Sequence, residues 1–216
     1  MKHYIKLLRP HQYLKNFFIL SPLFFAFKFK DLDLVLKVGL VTACFCLVAS
    51  AIYILNDYFD VEEDRKHPVK RNRPLASGAV PMSHALPLVG ILLLVGCGGM
   101  FFISKDALML TGIYVGNNLL YSYRLKHVPI LDISMISVGF VLRLFIGSAA
   151  GEGELPLSMW IIMVTFLLAL FLALAKRRDD VLLRKEGKKV RKNIDGYNLE
   201  FINGAMMIMA SVVLVS

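Results

Sequence analysis

Five carboxylates followed by five lysines or arginines occupy residues 56–74, NDYFDVEEDRKHPVKRNRP, directly after the apolar run VGLVTACFCLVASAIYIL. Asn56, Asp60 and Asp64 recur every fourth residue, so on a helix they share one face. Bare acidic side chains one turn apart repel each other, and a divalent cation removes that repulsion. Mg²⁺ typically takes one or two carboxylates, waters and phosphate oxygens. We therefore predict a Mg²⁺ site whose ligands are Asn56, Asp57, Asp60 and Asp64, with the three aspartates as catalytic residues.

The bases downstream of the acidic stretch favour a phosphate ligand beside that metal. Lys70 and Arg73 are expected to contact the phosphates, because cations and a metal together match a diphosphate. His67 precedes Pro68 in an expected turn, where a structural role is favoured over metal ligation. The alternative interpretation is a solvated helix end, whose charges mark only the edge of a membrane.

Composition places the chain in a membrane. Hydrophobic residues make up 57% of its 216 residues, more than an ordinary soluble domain contains. Several apolar runs approach the length needed to cross a bilayer. We predict an all-α polytopic bundle that forms a single domain over residues 1–216. The predicted spans are 16–27, 38–55, 82–103, 107–122, 130–149, 157–175 and 198–216.

The net charge of +9 is distributed as a topology signal. Lysine and arginine are dense in alternate connections, and the connections between them are poorer in bases. This bias predicts a multi-pass protein of the cell (inner) membrane whose N-terminus and base-rich connections are cytoplasmic. It also suits anionic lipid or phosphorylated substrates, and no nucleic-acid partner is expected. The dense segments are 2–15, 65–73, 124–126 and 176–192, and the poorer ones are 28–37, 104–106 and 150–156.

At these residues the sequence resembles the UbiA superfamily of intramembrane prenyltransferases. The pattern N-D-x-x-D-x-x-x-D followed by R-P-L-A-S-G resembles the first aspartate-rich motif of that superfamily. The resemblance extends upstream to LRPHQYLKN, residues 8–16, and downstream to YSYRLKHVPILDI, residues 121–133. It implies a helix bundle around a lipid-accessible cavity, with the polar chemistry in cytoplasmic loops. Gln12, Lys15 and Asn16 match the N-terminal segment of the family and are expected to line the site.

A second acidic cluster, D-x-x-x-D in the usual members, is replaced here by AKRRDDVLLRKEG, residues 175–187. Asp179 and Asp180 lack a carboxylate four residues later, and three bases precede them, which disfavours a second metal. This pattern resembles the decaprenyl-phosphate phosphoribosyltransferase branch. The resemblance implies Mg²⁺-dependent transfer of phosphoribose from phosphoribosyl pyrophosphate (PRPP) to a polyprenyl phosphate, and with it a role in cell-wall biosynthesis. The further substrate-binding residues that it implies are Lys126, Asp132, Lys176, Arg177 and Asp180.

Two other functions stay open from the sequence. One is transfer of a prenyl group from a prenyl diphosphate to an aromatic or other small acceptor. The other is a transporter or an anionic-lipid-binding scaffold, which intramembrane Asp132 and Arg143 would also suit. Asp132 is expected to face the site, and Arg143 to have a partner on another helix. Tyr121, Tyr123 and Tyr197 are expected at the membrane interface. The superfamily usually has nine spans, so the chain is expected to lack C-terminal helices, and its oligomeric state is not predicted.

Overall fold

The protein is described by a computed structural model that covers residues 2–185 and 196–215. Every regular element in these residues is helical, which confirms the predicted all-α class. Three short stretches are 3-10 helices, at Pro10–Leu20, Lys70–Asn72 and Leu125–His127. The α-helices are α1 (Lys2–Leu8), α2 (Ser21–Phe25), α3 (Leu32–Phe59), α4 (Val61–Lys66), α5 (Met82–Ile103), α6 (Lys105–Tyr123), α7 (Leu131–Ala150), α8 (Met159–Lys185) and α9 (Leu199–Val215).

Four helices of the described residues are long and apolar enough to cross a membrane: Leu32–Phe59, Met82–Ile103, Leu131–Ala150 and Met159–Arg184. The number of spans stays a prediction, because α6 carries Asn117 and Asn118 in its apolar stretch and α9 is only 17 residues long. The expected span at 16–27 is corrected. That region is part of a 3-10 helix and then the five-residue α2, since Pro22 at the start of α2 has no N–H to extend a helix from the preceding turn.

The C-terminal end of α8 is a second correction. The sequence predicts that this helix ends at residue 175 and that residues 176–192 form a basic connection. The helix instead continues to Lys185, so residues 176–185 lie on α8. The remainder of that basic segment, 186–192, lies outside the described residues.

The chain divides into two compact units, one of Met1–Gly112 with Phe145–Pro156 and the other of Ile113–Leu144 with Leu157–Ser216. The single domain inferred from the sequence stays a prediction. In the first unit α3 packs on α5, and small residues let their backbones approach closely. A methyl group at Gly96 would lie 2.9 Å from the Cys44 carbonyl oxygen. In the second unit α8 packs on α9 around Leu174, Val181 and Ile202.

Capping residues fix the helix ends of the first unit. The Asp31 carboxylate accepts the Leu34 N–H at 3.2 Å and begins α3. Ser104 separates α5 from α6, and its hydroxyl accepts the Ala107 N–H and donates to the Ala149 carbonyl. α3 ends at Phe59 because Asp60 leaves the helical conformation (φ −92°, ψ 6°).

The closest backbone approach in the first unit gives a prediction for Gly147. A methyl group there would lie 1.9 Å from the Ile19 carbonyl oxygen, inside van der Waals contact with rigid backbone. Gly147→Ala should therefore lower the free energy of unfolding by about 1–3 kcal/mol. Denaturation in detergent measures the change. Gly90→Ala is the matched control, because nothing lies within 4 Å of a methyl group at Gly90. Equal stability of the two variants would contradict the packing described here.

Candidate active site

Two buried aspartates of the first unit share one arginine. Asp57 lies on the last turn of α3 and Asp64 on α4, and their side chains are 2% and 1% exposed. A single atom, Arg73 Nη1, donates to Asp57 Oδ1 at 3.0 Å and to Asp64 Oδ2 at 2.6 Å. The regular helix expected here is interrupted at Asp60, yet the Asp60 N–H still bonds the Asn56 carbonyl at 3.0 Å and the Asp64 N–H bonds the Asp60 carbonyl at 2.8 Å. The stripe of Asn56, Asp60 and Asp64 as metal ligands therefore stays a prediction, and Arg73 joins Asp57 to Asp64.

Two further cations approach the same carboxylates. Arg9 Nη2 donates to Asp57 Oδ1, and the Arg9 guanidinium lies 5.6 Å from the centre of the Tyr53 ring. Lys70 Nζ lies 3.7 Å from Asp64 Oδ1. The backbone of Arg9 is left-handed (φ 53°), a strained conformation for a residue that precedes a proline. The sequence analysis did not select Arg9, although the Arg-Pro dipeptide within LRPHQYLKN was the available signal.

The segment between α4 and α5 delivers Lys70 and Arg73 by anchoring itself in the core. The Leu75 and Val80 side chains are buried against Leu7 of α1 and Ile54 of α3. At the start of the segment, His67 Nδ1 accepts the N–H groups of Val69 and Lys70, so the structural role expected for this histidine is confirmed. The segment that carries the two bases is therefore held by apolar packing and a turn.

The aspartate pair fits a divalent cation. Asp57 Oδ2 and Asp64 Oδ1 are buried and accept no hydrogen bond, and they are the unsatisfied buried side-chain atoms among the described residues. A buried carboxylate oxygen without a donor is costly, and two carboxylates are what Mg²⁺ usually takes from a protein. Within the described part of the chain, no three His, Cys, Asp or Glu side chains are grouped to hold a metal. The site therefore offers two buried acidic ligands, with phosphate and water left to complete it.

The predicted N-terminal site residues lie on the 3-10 helix Pro10–Leu20 of the first unit. Asn16 is buried and its side-chain amide donates to Cys46 Sγ at 3.2 Å, whereas Gln12 is half-buried and Lys15 exposed. The Tyr13 hydroxyl bonds the Ser50 hydroxyl, which donates to the Leu8 carbonyl. These bonds hold the segment on α3, the helix that carries Asp57.

The second unit contains a separate buried network around Asp132. Arg177 on α8 donates through Nε and Nη2 to Asp132 Oδ2 at 2.7 Å, and through Nη1 to Asp180 at 3.3 Å. The Tyr197 hydroxyl donates to Asp132 Oδ1 and accepts the Ile130 N–H at 2.7 Å. Both carboxylate oxygens of Asp132 are therefore satisfied. Three of the predicted site residues meet here: Asp132, Arg177 and Asp180.

Tyr197 was missed as part of this network. The sequence predicts an interfacial tyrosine here, and the structure shows that the ring is buried in the core with Leu174 and Ile202. Burial, and then the hydrogen bond donated to Asp132, raise the pKa of Tyr197 above its usual range, so the hydroxyl remains a donor. No sequence spacing joins Tyr197 to Asp132, because 65 residues separate them.

The other basic candidates of the second unit differ in exposure. Lys176 is exposed on α8, and Lys126 is half-buried in the 3-10 helix Leu125–His127. Arg143 is buried on α7, where it donates to the Tyr114 hydroxyl at 3.0 Å and lies 4.8 Å from the centre of that ring. Its expected partner on another helix is thereby confirmed, since Tyr114 belongs to α6.

The fold and the paired clusters of buried acids and bases define a multi-pass helical membrane protein with polar chemistry at its helix ends. The sequence matches the UbiA prenyltransferase family over residues 17–216. The chain belongs to the UbiA prenyltransferase family.

Within this family, the chain is similar in sequence to decaprenyl-phosphate phosphoribosyltransferases of two bacteria. The chain is 34% identical to a decaprenyl-phosphate phosphoribosyltransferase of Mycolicibacterium smegmatis, over 98% of this chain and 67% of the relative. It is 36% identical to the enzyme of that name from Corynebacterium glutamicum, over 98% of this chain and 65% of the relative. The chain thus spans about two thirds of the length of these relatives.

A solved structure shares the fold. A UbiA homolog from Archaeoglobus fulgidus bound to DMAPP and Mg²⁺ aligns with a TM-score of 0.74, over 98% of this chain and 75% of that one. At 19% identity this likeness supports the fold alone.

The shared contact of Arg73 gives a prediction for metal binding. Arg73→Gln leaves Asp57 and Asp64 buried beside each other with less compensation, so the free energy of unfolding should fall. We expect a loss of about 1–3 kcal/mol, below the value for full burial because the Arg73 side chain is 29% exposed. Added Mg²⁺ should restore part of the loss, because a divalent cation also neutralises the pair. Thermal denaturation with and without Mg²⁺ measures both effects.

Arg65→Gln is the charge-matched control for this variant. Arg65 forms a surface ion pair with Glu62 at 2.7 Å and a long hydrogen bond to the Ala76 carbonyl at 3.4 Å, and its removal should change stability by no more than about 0.5 kcal/mol. If Mg²⁺ stabilised Arg73→Gln and Arg65→Gln equally, the metal would be acting on the overall charge of the protein. That result would contradict a metal site at the aspartate pair.

Proposed function

We propose that this protein transfers 5-phosphoribose from PRPP to a polyprenyl phosphate such as decaprenyl phosphate, releasing diphosphate. The observation that carries the proposal is one buried aspartate pair with an unsatisfied oxygen on each carboxylate, set among three cations. A single acidic pair suits one metal on one diphosphate, and the surplus of bases suits further phosphate charge. Similarity to decaprenyl-phosphate phosphoribosyltransferases supports this donor and acceptor.

The diphosphate is assigned to the aspartate cluster of the first unit. Asp57 and Asp64 would hold Mg²⁺, and Asn56 and Asp60 at the end of α3 are the further candidates for ligands. When bound, Mg²⁺ would supply Lewis-acid stabilisation of the charge on the leaving diphosphate. Arg9, Lys70 and Arg73 would bind diphosphate oxygens, exchanging carboxylate contacts for phosphate contacts of the same kind.

The reaction needs little acid–base help from the protein. An oxygen of the acceptor phosphate attacks the anomeric carbon of the ribose, the bond from that carbon to the diphosphate oxygen breaks, and the diphosphate leaves with the electron pair. The acceptor phosphate is already an anion, so no strong general base is required. What the chain contributes is orientation of the two substrates and neutralisation of the charge on the leaving group.

The remaining phosphates, the 5-phosphate of PRPP and that of the lipid, need cations without a second metal. Lys126 and Lys176 are our candidates to bind them, and Gln12, Lys15 and Asn16 are candidates to line the donor site. Arg177 already donates to Asp132 and Asp180. For Arg177, Asp132 and Asp180 we therefore propose a positioning role in place of direct phosphate contact.

We further propose that the N-terminus and the loop of residues 67–80 face the cytoplasm in a cell (inner) membrane. Connections rich in lysine and arginine alternate along the sequence with connections poorer in them, and the positive-inside rule places the base-rich set in the cytoplasm. PRPP is a water-soluble, highly charged donor, and a cytoplasmic site would give it direct access.

Prenyl transfer is the second candidate function. The family match is to prenyltransferases, and the Archaeoglobus fulgidus homolog of the same fold was solved with DMAPP and Mg²⁺. The two functions share the leaving diphosphate and differ in the group that is transferred.

An assay with both donors separates the two functions. Purified protein in detergent is given Mg²⁺, PRPP and polyprenyl phosphate, and in parallel a prenyl diphosphate with small aromatic acceptors. We expect phosphoribosyl transfer in the first reaction only, and its loss when the metal is chelated. Turnover confined to the second reaction would reject phosphoribosyl transfer. Activity that persists after the Mg²⁺ is chelated would contradict the proposed requirement for a metal.

The aspartate pair is tested by Asp64→Asn, which keeps the shape of the side chain and removes its charge. Loss of one ligand to the charge-neutralising site should lower kcat/KM by roughly a hundred- to a thousandfold, or about 2.7–4 kcal/mol of transition-state stabilisation. Glu62→Gln is the control, because this neighbouring carboxylate is 72% exposed and pairs only with Arg65. Equal losses in both variants would mean that only the net charge of the stretch matters.

A further inference from the structure

The turn between α6 and α7 is strained. It contains the 3-10 helix Leu125–His127 and ends at Ile130, whose φ is 70°. A β-branched residue in the left-handed region is a conformational outlier and persists only where its surroundings impose it. The turn carries three basic or titratable side chains, Arg124, Lys126 and His127. Strain in a charged turn is typical of a segment whose shape matters for function.

Two adjacent residues at the far end of the α8–α9 connection hold this turn. A methyl group at Gly196 would lie 2.2 Å from Pro129 Cγ, so only glycine fits against that proline. Next to it, the Tyr197 hydroxyl accepts the N–H of strained Ile130 at 2.7 Å and donates to Asp132. We call Gly196 and Tyr197 the clasp. Gly196 of the clasp packs on Pro129, and Tyr197 forms hydrogen bonds with Ile130 and Asp132.

The clasp is itself rigidly supported. The Tyr197 ring packs with Ile133 and Ile202, and Asp132, which accepts its hydroxyl, is held by Arg177. Every polar member of the chain Ile130–Tyr197–Asp132–Arg177–Asp180 has a partner. A fully satisfied buried network defines one geometry more sharply than apolar packing alone. The Tyr197 hydroxyl and the close approach of Gly196 therefore add to the backbone hydrogen bonds of the turn itself and fix its C-terminal end.

We propose that Gly196 and Tyr197 are positioning residues that hold the strained turn Arg124–Ile130 so that Lys126 meets a substrate phosphate. This inference rests on the proposed function. The phosphate belongs either to PRPP or to the polyprenyl lipid, and the chemistry that Lys126 offers is the same for both. Tyr197 acts through the turn and touches no reacting atom.

Tyr197→Phe tests the hydroxyl alone, because the ring and its packing remain. We expect the KM of one substrate to rise roughly 5- to 30-fold, as for the loss of one or two hydrogen bonds, with kcat changed less than the KM. The substrate whose KM rises identifies the phosphate that the turn receives. Tyr123→Phe is the matched control: this tyrosine ends α6 close to the turn, is 85% exposed, and should leave both KM values unchanged.

A substitution in the turn separates positioning from stability. Asparagine tolerates the left-handed conformation, so Ile130→Asn should relieve strain and leave thermal stability equal or higher. Because asparagine favours the same left-handed shape, adding Ile130→Asn to Tyr197→Phe should lower the raised KM back toward the wild-type value. A double variant whose KM stays at that of Tyr197→Phe would contradict the positioning role.

Three results would overturn the proposal. One is a Tyr197→Phe enzyme with both KM values equal to those of Tyr123→Phe. Another is a kcat loss that tracks a lower melting temperature while both KM values stay constant. The third is an unchanged hydrogen-exchange rate of the Ile130 amide in Tyr197→Phe, because loss of the clasp hydroxyl should make this amide exchange faster.

Hydrogen exchange does not depend on enzymatic activity. If the wild type shows no phosphoribosyl transfer, the proposed function is rejected, and the exchange rate of Ile130 still tests the clasp.

Discussion

Buried carboxylates require cations, and this requirement organises both units of the protein. Asp57 and Asp64 in the first unit and Asp132 in the second are almost fully buried. A charge in such surroundings is tolerated only when it is paired and hydrogen-bonded. Each unit provides an arginine from outside the helix that carries the acid, Arg73 in one and Arg177 in the other. The anchoring of the 67–80 segment and the length of α8 both serve to bring these arginines to their acids.

The two clusters differ in what they leave unsatisfied. Asp132 uses both oxygens within its network, and its neighbours are satisfied as well. Asp57 and Asp64 each keep one buried oxygen that accepts no hydrogen bond, and Lys70 Nζ lies 3.7 Å from that of Asp64. A cluster that is left incomplete in a buried place costs stability, and such exceptions call for a functional explanation. The first cluster is therefore the one suited to receive a ligand, and the second is suited to hold neighbouring segments in place.

Local patterns in the sequence were sufficient for the helical class, the family and the acidic motif. Periodicity located α5 at its observed bounds, and the acidic motif around Asp57 predicted the site proposed above. The sequence could not reveal that α3 breaks at Asp60, because a four-residue spacing looks the same on one helix or on two. It also could not connect Tyr197 to Asp132, or Arg9 to Asp57, since these contacts depend on how distant segments pack. The acidic motif could be recognised from neighbouring residues alone, whereas no sequence pattern indicated Arg9 or Tyr197 as a partner of an aspartate.

We propose that Asp57 and Asp64 together hold the metal that accompanies the diphosphate. Anomalous diffraction from crystals grown with Mn²⁺ and inorganic pyrophosphate locates that metal, because Mn²⁺ replaces Mg²⁺ and scatters anomalously. We expect an anomalous peak bounded by the carboxylates of Asp57 and Asp64, with Arg73 turned from the acids to the pyrophosphate. A metal located elsewhere, or an Arg73 that still bridges both carboxylates beside bound pyrophosphate, would contradict it.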